Sequence, residues 1–451
     1  MLNTKYKKNG YKTINHNGCL YLFIINTGAL FQIDDKLNEV LANDEEYFDP
    51  SLLNEDPEMI VEELKKAGLL EFDENLSTEN SFFDEKTVND LILMLSQACN
   101  LRCTYCYADG GEYNNRGFMT QEVAQKAIDF IYNTSEKDEI NINLFGGEPL
   151  LNFEMFKFCV EYSKKKAIET NKKLRFSTTT NGTLLNEEIA SFLEQNKFAI
   201  TLSIDGDEST HDKNRFNVNG DGTYKEIVEK VGKYLKIHNI TARATLTNFN
   251  TNIDEIYDHL YSLGFASIHI THSINMLDEE GFHNLGLAYK KMITKFKDAL
   301  ADCNYDYCKK MSNVMSMLNR YYNGGMRKKF CGAGNNMIAV DIDGSIFACH
   351  RLVNNTETKY GTIFDGYNQI LRKHIIGEMA LTIKNEECNE CWCKSLCGGG
   401  CPSENLISNN DIKIPHQNTC EIFKNNAEDF LRLYIDMEDE QKELLFEKKH
   451  K

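Results

Sequence analysis

The stretch "LSQACNLRCTYCYADGG", residues 95–111, decides the fold that we expect for this chain. It places Cys99, Cys103 and Cys106 within eight positions, directly after the apolar run 91–95. Three thiolates can bind three irons of a [4Fe–4S] cluster and leave the fourth iron for an exchangeable ligand. A structural zinc ion usually takes four protein ligands, so three cysteines leave it one short. The spacing therefore favours an iron–sulfur cluster, with zinc as the alternative.

Apolar or β-branched runs recur through the middle of the chain and alternate with segments of helical periodicity. The runs expected to form strands are 91–96, 140–145, 174–180, 199–204, 240–247 and 266–271. The expected helices are 120–133, 153–169, 186–197, 223–238 and 252–263. Strands that alternate with helices predict a parallel α/β sheet, and six such units suit a partial, TIM-like (β/α)6 barrel.

Polar or glycine-rich segments follow four of these strands. They are the cysteine stretch, FGGEP (145–149), TTNGTLL (179–185) and SIDG (203–206). Because ligands bind at the carboxyl ends of the strands in such sheets, we expect the four segments to form one site. Gly146 and Gly147 would let a ligand approach the backbone closely, although a plain tight turn also explains them.

The overall composition narrows the classes of function. The chain has 451 residues, which suggests two or three domains, and a formal net charge of −18. This acidity disfavours nucleic-acid and membrane-surface binding, because the Lys and Arg excess that neutralises phosphates is missing. We find no apolar run of the ~20 residues that a membrane helix needs, and no secretion signal at the start. The 15 cysteines therefore predict a cytoplasmic protein whose thiols bind metal or do chemistry.

The order and spacing of these motifs resemble those of the radical S-adenosylmethionine (SAM) enzymes over about residues 90–275. The resemblance rests on Cys-x3-Cys-x2-Cys, on the aromatic Tyr105 before the third cysteine, and on GGEP about forty residues later. In that family the cluster's free iron binds the amino and carboxylate groups of SAM, and one electron releases a 5′-deoxyadenosyl radical.

This resemblance implies a role for each matching residue. Cys99, Cys103 and Cys106 would ligate the catalytic cluster, and the GGE segment would line the methionine amine. Ser203 and Arg215 match the pair that holds the carboxylate, a role for which a guanidinium is well suited. Strand-end capping by Ser203 and a solvated surface charge at Arg215 are the alternatives. The implied cofactor-binding residues are Tyr105, Gly146, Gly147, Glu148, Ser203 and Arg215.

Ten further cysteines lie in the C-terminal third of the chain. Seven of them form a metal-site pattern, and zinc ribbons are one explanation for these seven. Downstream of a radical SAM core they instead resemble the SPASM extension, which carries auxiliary [4Fe–4S] clusters. Matching positions imply that one cluster is ligated by Cys388, Cys391, Cys397 and Cys420. Three ligands of another would be Cys331, Cys349 and Cys401. With the SAM-binding cluster, this makes three [4Fe–4S] clusters.

The chain departs from the related sulfatase-maturing enzymes near the first auxiliary cluster. Those enzymes have a further cysteine shortly after the first one and an aspartate base directly after the second. Here no cysteine lies between Cys331 and Cys349, and His350 follows the latter. The first auxiliary cluster would then keep an open iron that can bind a substrate thiolate, as in thioether-forming peptide maturases. The alternatives for a fourth ligand are Cys303, Cys308 and Cys393.

The first 85 residues predict a third unit. Residues 19–34 suit a strand pair around Asn26-Thr27-Gly28, and a helix is expected to begin at Pro57 and end before Gly68. With a wing strand at Leu69–Phe72, this layout predicts a small winged helix-turn-helix. Its acidic helix disfavours DNA, and the unit resembles the leader-peptide recognition domains of peptide maturases. A structural cap is the alternative.

These observations predict three domains. They are 1–85 for leader recognition, 86–300 for the radical SAM core and 301–451 for the SPASM clusters. The expected function is a peptide maturase that installs thioether (C–S) crosslinks in a ribosomal, cysteine-containing precursor of sactipeptide or ranthipeptide type. Expected partners are that peptide and an electron donor such as flavodoxin or ferredoxin, with no nucleic acid and no membrane. The alternatives are a C–C or C–O crosslink by the same chemistry, or a non-catalytic zinc-binding peptide adaptor.

Overall fold

The structure, a computed structural model, describes residues 5–53, 56–70, 85–113, 115–235, 239–382 and 385–446. Its strands are β1 (Tyr6–Lys7), β2 (Tyr11–His16), β3 (Cys19–Ile24), β4 (Leu30–Ile33), β5 (Tyr47–Phe48), β6 (Asp90–Gln97), β7 (Gly117–Phe118), β8 (Glu139–Gly146), β9 (Lys173–Thr180), β10 (Ala199–Ser203), β11 (Ile240–Leu246), β12 (Ser267–His272), β13 (Met337–Val340), β14 (Ser345–Phe347), β15 (Gly361–Thr362) and β16 (Gly366–Tyr367). Its α-helices are α1 (Asp35–Ala42), α2 (Pro57–Lys66), α3 (Gln121–Thr134), α4 (Phe153–Thr170), α5 (Glu187–Gln195), α6 (Glu208–Asn214), α7 (Tyr224–Gly232), α8 (Ile253–Leu263), α9 (Glu279–Ala301), α10 (Tyr305–Lys310), α11 (Ser312–Asn323), α12 (Gln369–Leu381), α13 (Glu386–Asn389), α14 (Lys394–Cys397), α15 (Pro402–Asn409), α16 (Gln417–Asp436) and α17 (Asp439–Leu445).

The core is a parallel sheet in which β6, β8, β9, β10, β11 and β12 lie side by side in chain order. All six predicted strands are confirmed, and each bound differs from the expected one by at most one residue. The helix expected at 223–238 ends earlier, at Gly232, where glycine disfavours further helix, and residues 236–238 lie outside the described part. The short α6, capped by Asp207, was not predicted.

The same sheet continues beyond the six expected strands. Strand β13 pairs in parallel with β6, with Met337 opposite Asp90, and β14 to β16 add antiparallel strands outside it. In the described part of the chain, β12 and β16 end the path, so the sheet does not close into a ring. Strands on both sides of residue 300 share this sheet, so the sheet itself does not mark a domain boundary there. The boundary expected at residue 300 stays a prediction.

Strand β6 is buried on both faces, which explains why its sequence is apolar throughout. Leu91, Leu93 and Leu95 contribute to the large core beneath the helices. Ile92 and Met94 point to the opposite face and join a smaller cluster with Phe145 and other aromatic residues. This second face forms an apolar floor directly before the cysteine stretch.

The N-terminal residues form a small unit with a core of its own. The predicted hairpin is confirmed, because β3 pairs with β4 on either side of the turn, and β2 adds a third antiparallel strand. Helix α2 begins at Pro57 as expected, after the cap Asp56. Of the expected wing strand, Leu70 bridges Lys8, whereas residues 71–72 lie outside the described residues.

Long helices join this unit to the rest of the molecule. Helices α9 and α16 pack against each other. Strand β2 lies on α16, where Lys12 forms an ion pair with Glu428 at 3.1 Å and Arg432 donates to the carbonyl of Asn15 at 2.8 Å. Neither these helices nor any other helix in the described residues combines the length and apolar character needed to cross a bilayer.

Candidate active site

The backbone holds the first cysteine stretch against two neighbouring segments. The N–H of Gly147 donates to the carbonyl of Ser96 at 2.7 Å, so FGGEP runs beside the start of the stretch. On the other side, Arg102 and Thr104 donate their N–H groups to the carbonyls of Phe216 and Asn214 at 2.8 and 2.9 Å. Contacts between distant parts of the chain therefore set the shape of this loop.

The three thiols of this stretch, Cys99, Cys103 and Cys106, line one cavity. Burial raises the pKa of Cys99 to about 12, and it also raises the pKa of Cys103. Such thiols keep their protons at neutral pH unless a cation displaces them, which suits metal ligands. The N–H of Leu101 donates to Cys99 Sγ at 3.4 Å, as second-sphere donors to cluster sulfurs do.

The two glycines of FGGEP form a cradle that no other residue fits. At Gly146, φ is +155° and an added Cβ would lie 2.3 Å from the carbonyl oxygen of Ser96. At Gly147, an added Cβ would lie 2.4 Å from the oxygen of Ala98 and 2.5 Å from that of Gly111. A small polar ligand can therefore reach the backbone here, as the predicted binding of the methionine amine requires.

Glu148 lies behind this cradle and does not line the cavity. It is fully buried, and its carboxylate accepts from the hydroxyl of Thr180 at 2.8 Å and from the N–H groups of Asn181 and Leu150 at 2.7 and 3.1 Å. Burial raises the pKa of Glu148 to about 7. These contacts join FGGEP to the end of β9, and a direct contact of Glu148 with SAM stays a prediction.

Arg215 is not a solvated surface charge. It is 7% exposed, and its Nε donates to the hydroxyl of Tyr105 at 2.6 Å and lies 3.4 Å from Asp205 Oδ2. Tyr105 in turn donates to Asp205 at 2.8 Å. This network orients the guanidinium on the cavity wall, which Ser203 and Tyr105 also line. The structure thus brings together the residues predicted to hold the SAM carboxylate.

The cavity has a volume of about 190 Å³ and extends from the first thiols towards the C-terminal region. Its far wall carries His350 and Arg351, directly after Cys349. His350 packs against Phe145 with 4.4 Å between ring centroids and 44° between ring planes, and burial lowers its pKa to about 3. This imidazole is therefore neutral at physiological pH.

Seven C-terminal cysteines lie in two groups, and their role as ligands of two auxiliary clusters stays a prediction. In the first group, Arg351 donates its N–H to Cys349 Sγ at 3.4 Å and its Nη1 to Cys401 Sγ at 3.5 Å. The proximity of Cys331 helps to raise the pKa of Cys349, although burial raises it most. The second group comprises Cys388, Cys391, Cys397 and Cys420. Among the described residues, no three His, Cys, Asp or Glu side chains are close enough to hold one metal ion.

The three alternatives for a fourth ligand lie in different places. Cys303 is exposed at the end of α9, and Cys308 is fully buried, 3.9 Å from the carbonyl of Phe296. Cys393 lies in the second group, with its Sγ 3.4 Å from that of Cys391. None of these observations decides the fourth position of the first auxiliary cluster, which stays a prediction.

Part of this chain matches a known protein family. Residues 93–260 match the profile of the Radical SAM superfamily. This chain contains a radical SAM domain. The match covers the cysteine stretch, the glycine cradle and Arg215, so SAM and a catalytic [4Fe–4S] cluster are the cofactors of this domain, and the cavity residues fit them.

Relatives match a larger share of the chain than this domain. The cysteine-type anaerobic sulfatase-maturating enzyme of Clostridium perfringens is 29% identical over 333 residues, covering 69% of this chain and 88% of that protein. A structure entitled native anSMEcpe with bound AdoMet and Cp18Cys peptide gives a TM-score of 0.65 at 24% identity, covering 77% and 97%. Streptococcus suis SuiB bound to precursor peptide SuiA gives 0.51 at 14% identity, covering 91% and 98%. These likenesses show a radical SAM α/β fold.

Two residues of this site, one behind the cavity wall and one on it, are not indicated by the sequence patterns. Asp205 lies in the quoted SIDG segment, but its pairing with Arg215 depends on the fold. Arg243 lines the cavity from the middle of β11. The apolar pattern of the run ITARATLT predicts a strand there but does not indicate a role for the arginine. A charged residue inside a β-branched strand was the signal that could have found it, because buried charges need partners.

Proposed function

We propose that this chain is a radical SAM peptide maturase that forms thioether crosslinks in a cysteine-containing precursor peptide. One observation carries the proposal: a single cavity is lined both by Cys99, Cys103 and Cys106 and by the residues that follow Cys349. A peptide in this cavity would contact the SAM site at one end and the first auxiliary thiol group at the other.

On the SAM side, each residue has a defined task. The three thiols would hold the cluster, the glycine cradle would take the methionine amine, and Arg215 with Ser203 would take the carboxylate. When bound, the cluster and SAM supply a carbon-centred radical that removes a hydrogen atom from the substrate. Tyr105 and Asp205 keep Arg215 in one orientation, which lowers the entropy lost on binding.

On the far side, Cys331, Cys349 and Cys401 would bind an auxiliary cluster through three thiolates. Arg351 contacts two of these sulfurs and is itself fixed by Glu404 at 2.7 Å. With three protein ligands, one iron would be free to bind the thiolate of a substrate cysteine. The crosslink would remove two hydrogens from the peptide: the SAM-derived radical would take one hydrogen atom from carbon, and the thiol would lose a proton to solvent while the auxiliary cluster accepts the remaining electron.

The sulfatase-maturating relative suggests a second activity, the modification of a cysteine in a sulfatase. Two features of this chain favour the crosslink instead. No cysteine lies between Cys331 and Cys349, and the residue after Cys349 is the neutral His350, packed against Phe145, rather than an aspartate.

The N-terminal unit would bind the leader of the precursor. Strand β2 lies against α16, whereas β4 is the other edge of its sheet and carries the exposed Phe31. An extended peptide can add to such an edge through its backbone. The likeness to SuiB in its complex with SuiA supports a peptide partner. We further propose a cytoplasmic location, where thiols stay reduced and a flavodoxin or ferredoxin can donate electrons.

Mass spectrometry of a candidate peptide tests this function. A short cysteine-containing peptide, sought among the products of the neighbouring genes, would be incubated without oxygen with reconstituted enzyme, SAM and dithionite. We expect a loss of two hydrogens per crosslink and one cysteine that no longer reacts with iodoacetamide. A product that has lost two hydrogens but keeps every thiol reactive would favour a C–C or C–O crosslink. A colourless, zinc-loaded protein without SAM cleavage would favour the adaptor.

A further inference from the structure

The cavity wall carries a marked excess of positive charge. Among the described residues that line it, there are three arginines and no aspartate or glutamate. Two of the arginines form ion pairs with carboxylates that do not line the cavity. Arg215 pairs with Asp205 at 3.4 Å, and Arg351 pairs with Glu404 at 2.7 Å. For a chain whose formal net charge is −18, this local excess is unusual.

Arg243 is the arginine without such a partner. Within the part of the chain that the structure describes, its side chain has no hydrogen bond and no ion pair. It lies opposite Ser203 of β10 and His269 of β12, and residues in register on adjacent strands point to the same face of a sheet. The side chain is accessible, and the space that it borders is the cavity.

Surrounding protein makes this unpaired charge unfavourable. The protein atoms around the cavity displace water and so lower the pKa of Arg243, Tyr107 raises it, and the neighbouring cations Arg351 and Arg215 lower it further. An uncompensated guanidinium in a protein cavity is costly, and an anion that reaches it removes this cost. A carboxylate is the matching group, because its two oxygens can accept two parallel N–H bonds from the guanidinium.

We propose that Arg243 binds a carboxylate of the peptide substrate, either an acidic side chain or the chain's C-terminus. The inference rests on the proposed function, because that function puts a peptide in the cavity. SAM brings a carboxylate of its own, for which Arg215 and Ser203 are already arranged. Arg243 lines the same cavity as Arg351 and Tyr107 of the other wall, where the Arg351 guanidinium lies 5.2 Å from the Tyr107 ring.

The test compares two small ligands that differ by one charge. The dissociation constants of N-acetyl-L-glutamic acid α-amide and N-acetyl-L-glutaminamide would be measured by calorimetry on the reconstituted, SAM-loaded chain. We expect the acid to bind about tenfold more tightly than the amide. Arg243→Gln should abolish this preference and Arg243→Lys should keep part of it. Arg175→Gln, at a side chain that is 73% exposed on β9, is the matched control and should bind like the wild type.

A second measurement separates the two sources of carboxylate. The KM for SAM would be determined from 5′-deoxyadenosine release in the same variants, and it should not change in Arg243→Gln. A tenfold rise in this KM, with the acid preference intact, would assign Arg243 to SAM and overturn the proposal. Equal or undetectable binding of the two ligands to the wild type would also overturn it. A clear acid preference in an enzyme that makes no thioether would instead contradict the proposed function alone.

Discussion

The loop with Cys99, Cys103 and Cys106 and the region with the C-terminal cysteines are held in place by different interactions. The first loop follows β6, which is buried on both faces, and its backbone bonds to FGGEP and to residues 214–216. The C-terminal cysteines lie on loops and on helices as short as the four-residue α13 and α14. Helices of this length are not stable by themselves.

This difference indicates what each region depends on. The sheet sets the shape of the first loop, so that loop should keep its conformation without metal. If the C-terminal thiols bind the proposed clusters, we expect the bound groups to replace the missing secondary structure, as in small metal-binding domains. The following predictions test this contrast.

The largest effect should come from filling the glycine cradle. In Gly147→Ala the new methyl group would lie 2.4 Å from the oxygen of Ala98, so the loop and FGGEP must move apart. A shift of about 1 Å at a reacting centre costs about a hundredfold in rate, and we expect 5′-deoxyadenosine release to fall by at least that much. Gly232→Ala, where the added Cβ has no neighbour within 4 Å, is the control and should match the wild type.

Metal removal should affect the two regions differently. After chelation of iron, we expect amide exchange in residues 385–420 to accelerate by about tenfold or more, because the short helices lose their support. Exchange in β6 and in the first cysteine loop should change little. Hydrogen exchange followed by mass spectrometry measures both, and equal acceleration in the two regions would show that the sheet does not hold the first loop.

The buried carboxylate of Glu148 joins FGGEP to the end of β9, on the region held by the sheet. It should make the free energy of unfolding depend on pH. Its pKa is raised to about 7 when folded and returns to about 4.5 when unfolded, so the chain takes up a proton on folding between these values. The contribution of Glu148 to the free energy of unfolding therefore falls as pH rises from 4.5 to 7, by on the order of 3 kcal/mol in total. Urea unfolding at several pH values should show a flatter profile for Glu148→Gln. An unchanged profile would contradict the assigned proton.

The smallest effect concerns the link between the second cysteine group and the N-terminal unit. Trp392 lies between Cys391 and Cys393, its ring packs edge-on against Phe23 at 6.2 Å, and Lys12 Nζ lies 4.8 Å from the ring centroid. Trp392→Ala should destabilise the holoenzyme by about 1 kcal/mol through loss of these contacts. Thermal unfolding measures this change, with the exposed Phe249→Ala as a control. Equal transitions would mean that the contact does not stabilise the protein.

The same contrast explains which features the sequence could predict. The six parallel strands were predictable because each is a local apolar run followed by a helix. The pairing of β13 with β6 was not, since it joins Met337 to Asp90 across most of the core and has no local signal. The cysteine positions came from motif spacing, whereas the partners of Arg215 and the orientation of Arg243 depend on strand register. Only the folded sheet determines which side chains of β11 face the cavity.

The central claim is that the first thiol group starts the reaction and the C-terminal groups act afterwards on the peptide. The most direct test is anaerobic 5′-deoxyadenosine release in the reconstituted wild type, in Cys106→Ala and in Cys349→Ala, each with SAM and dithionite. We expect release from the wild type and Cys349→Ala, and none above background from Cys106→Ala. Release that persists in Cys106→Ala, or that disappears only in Cys349→Ala, would contradict the account.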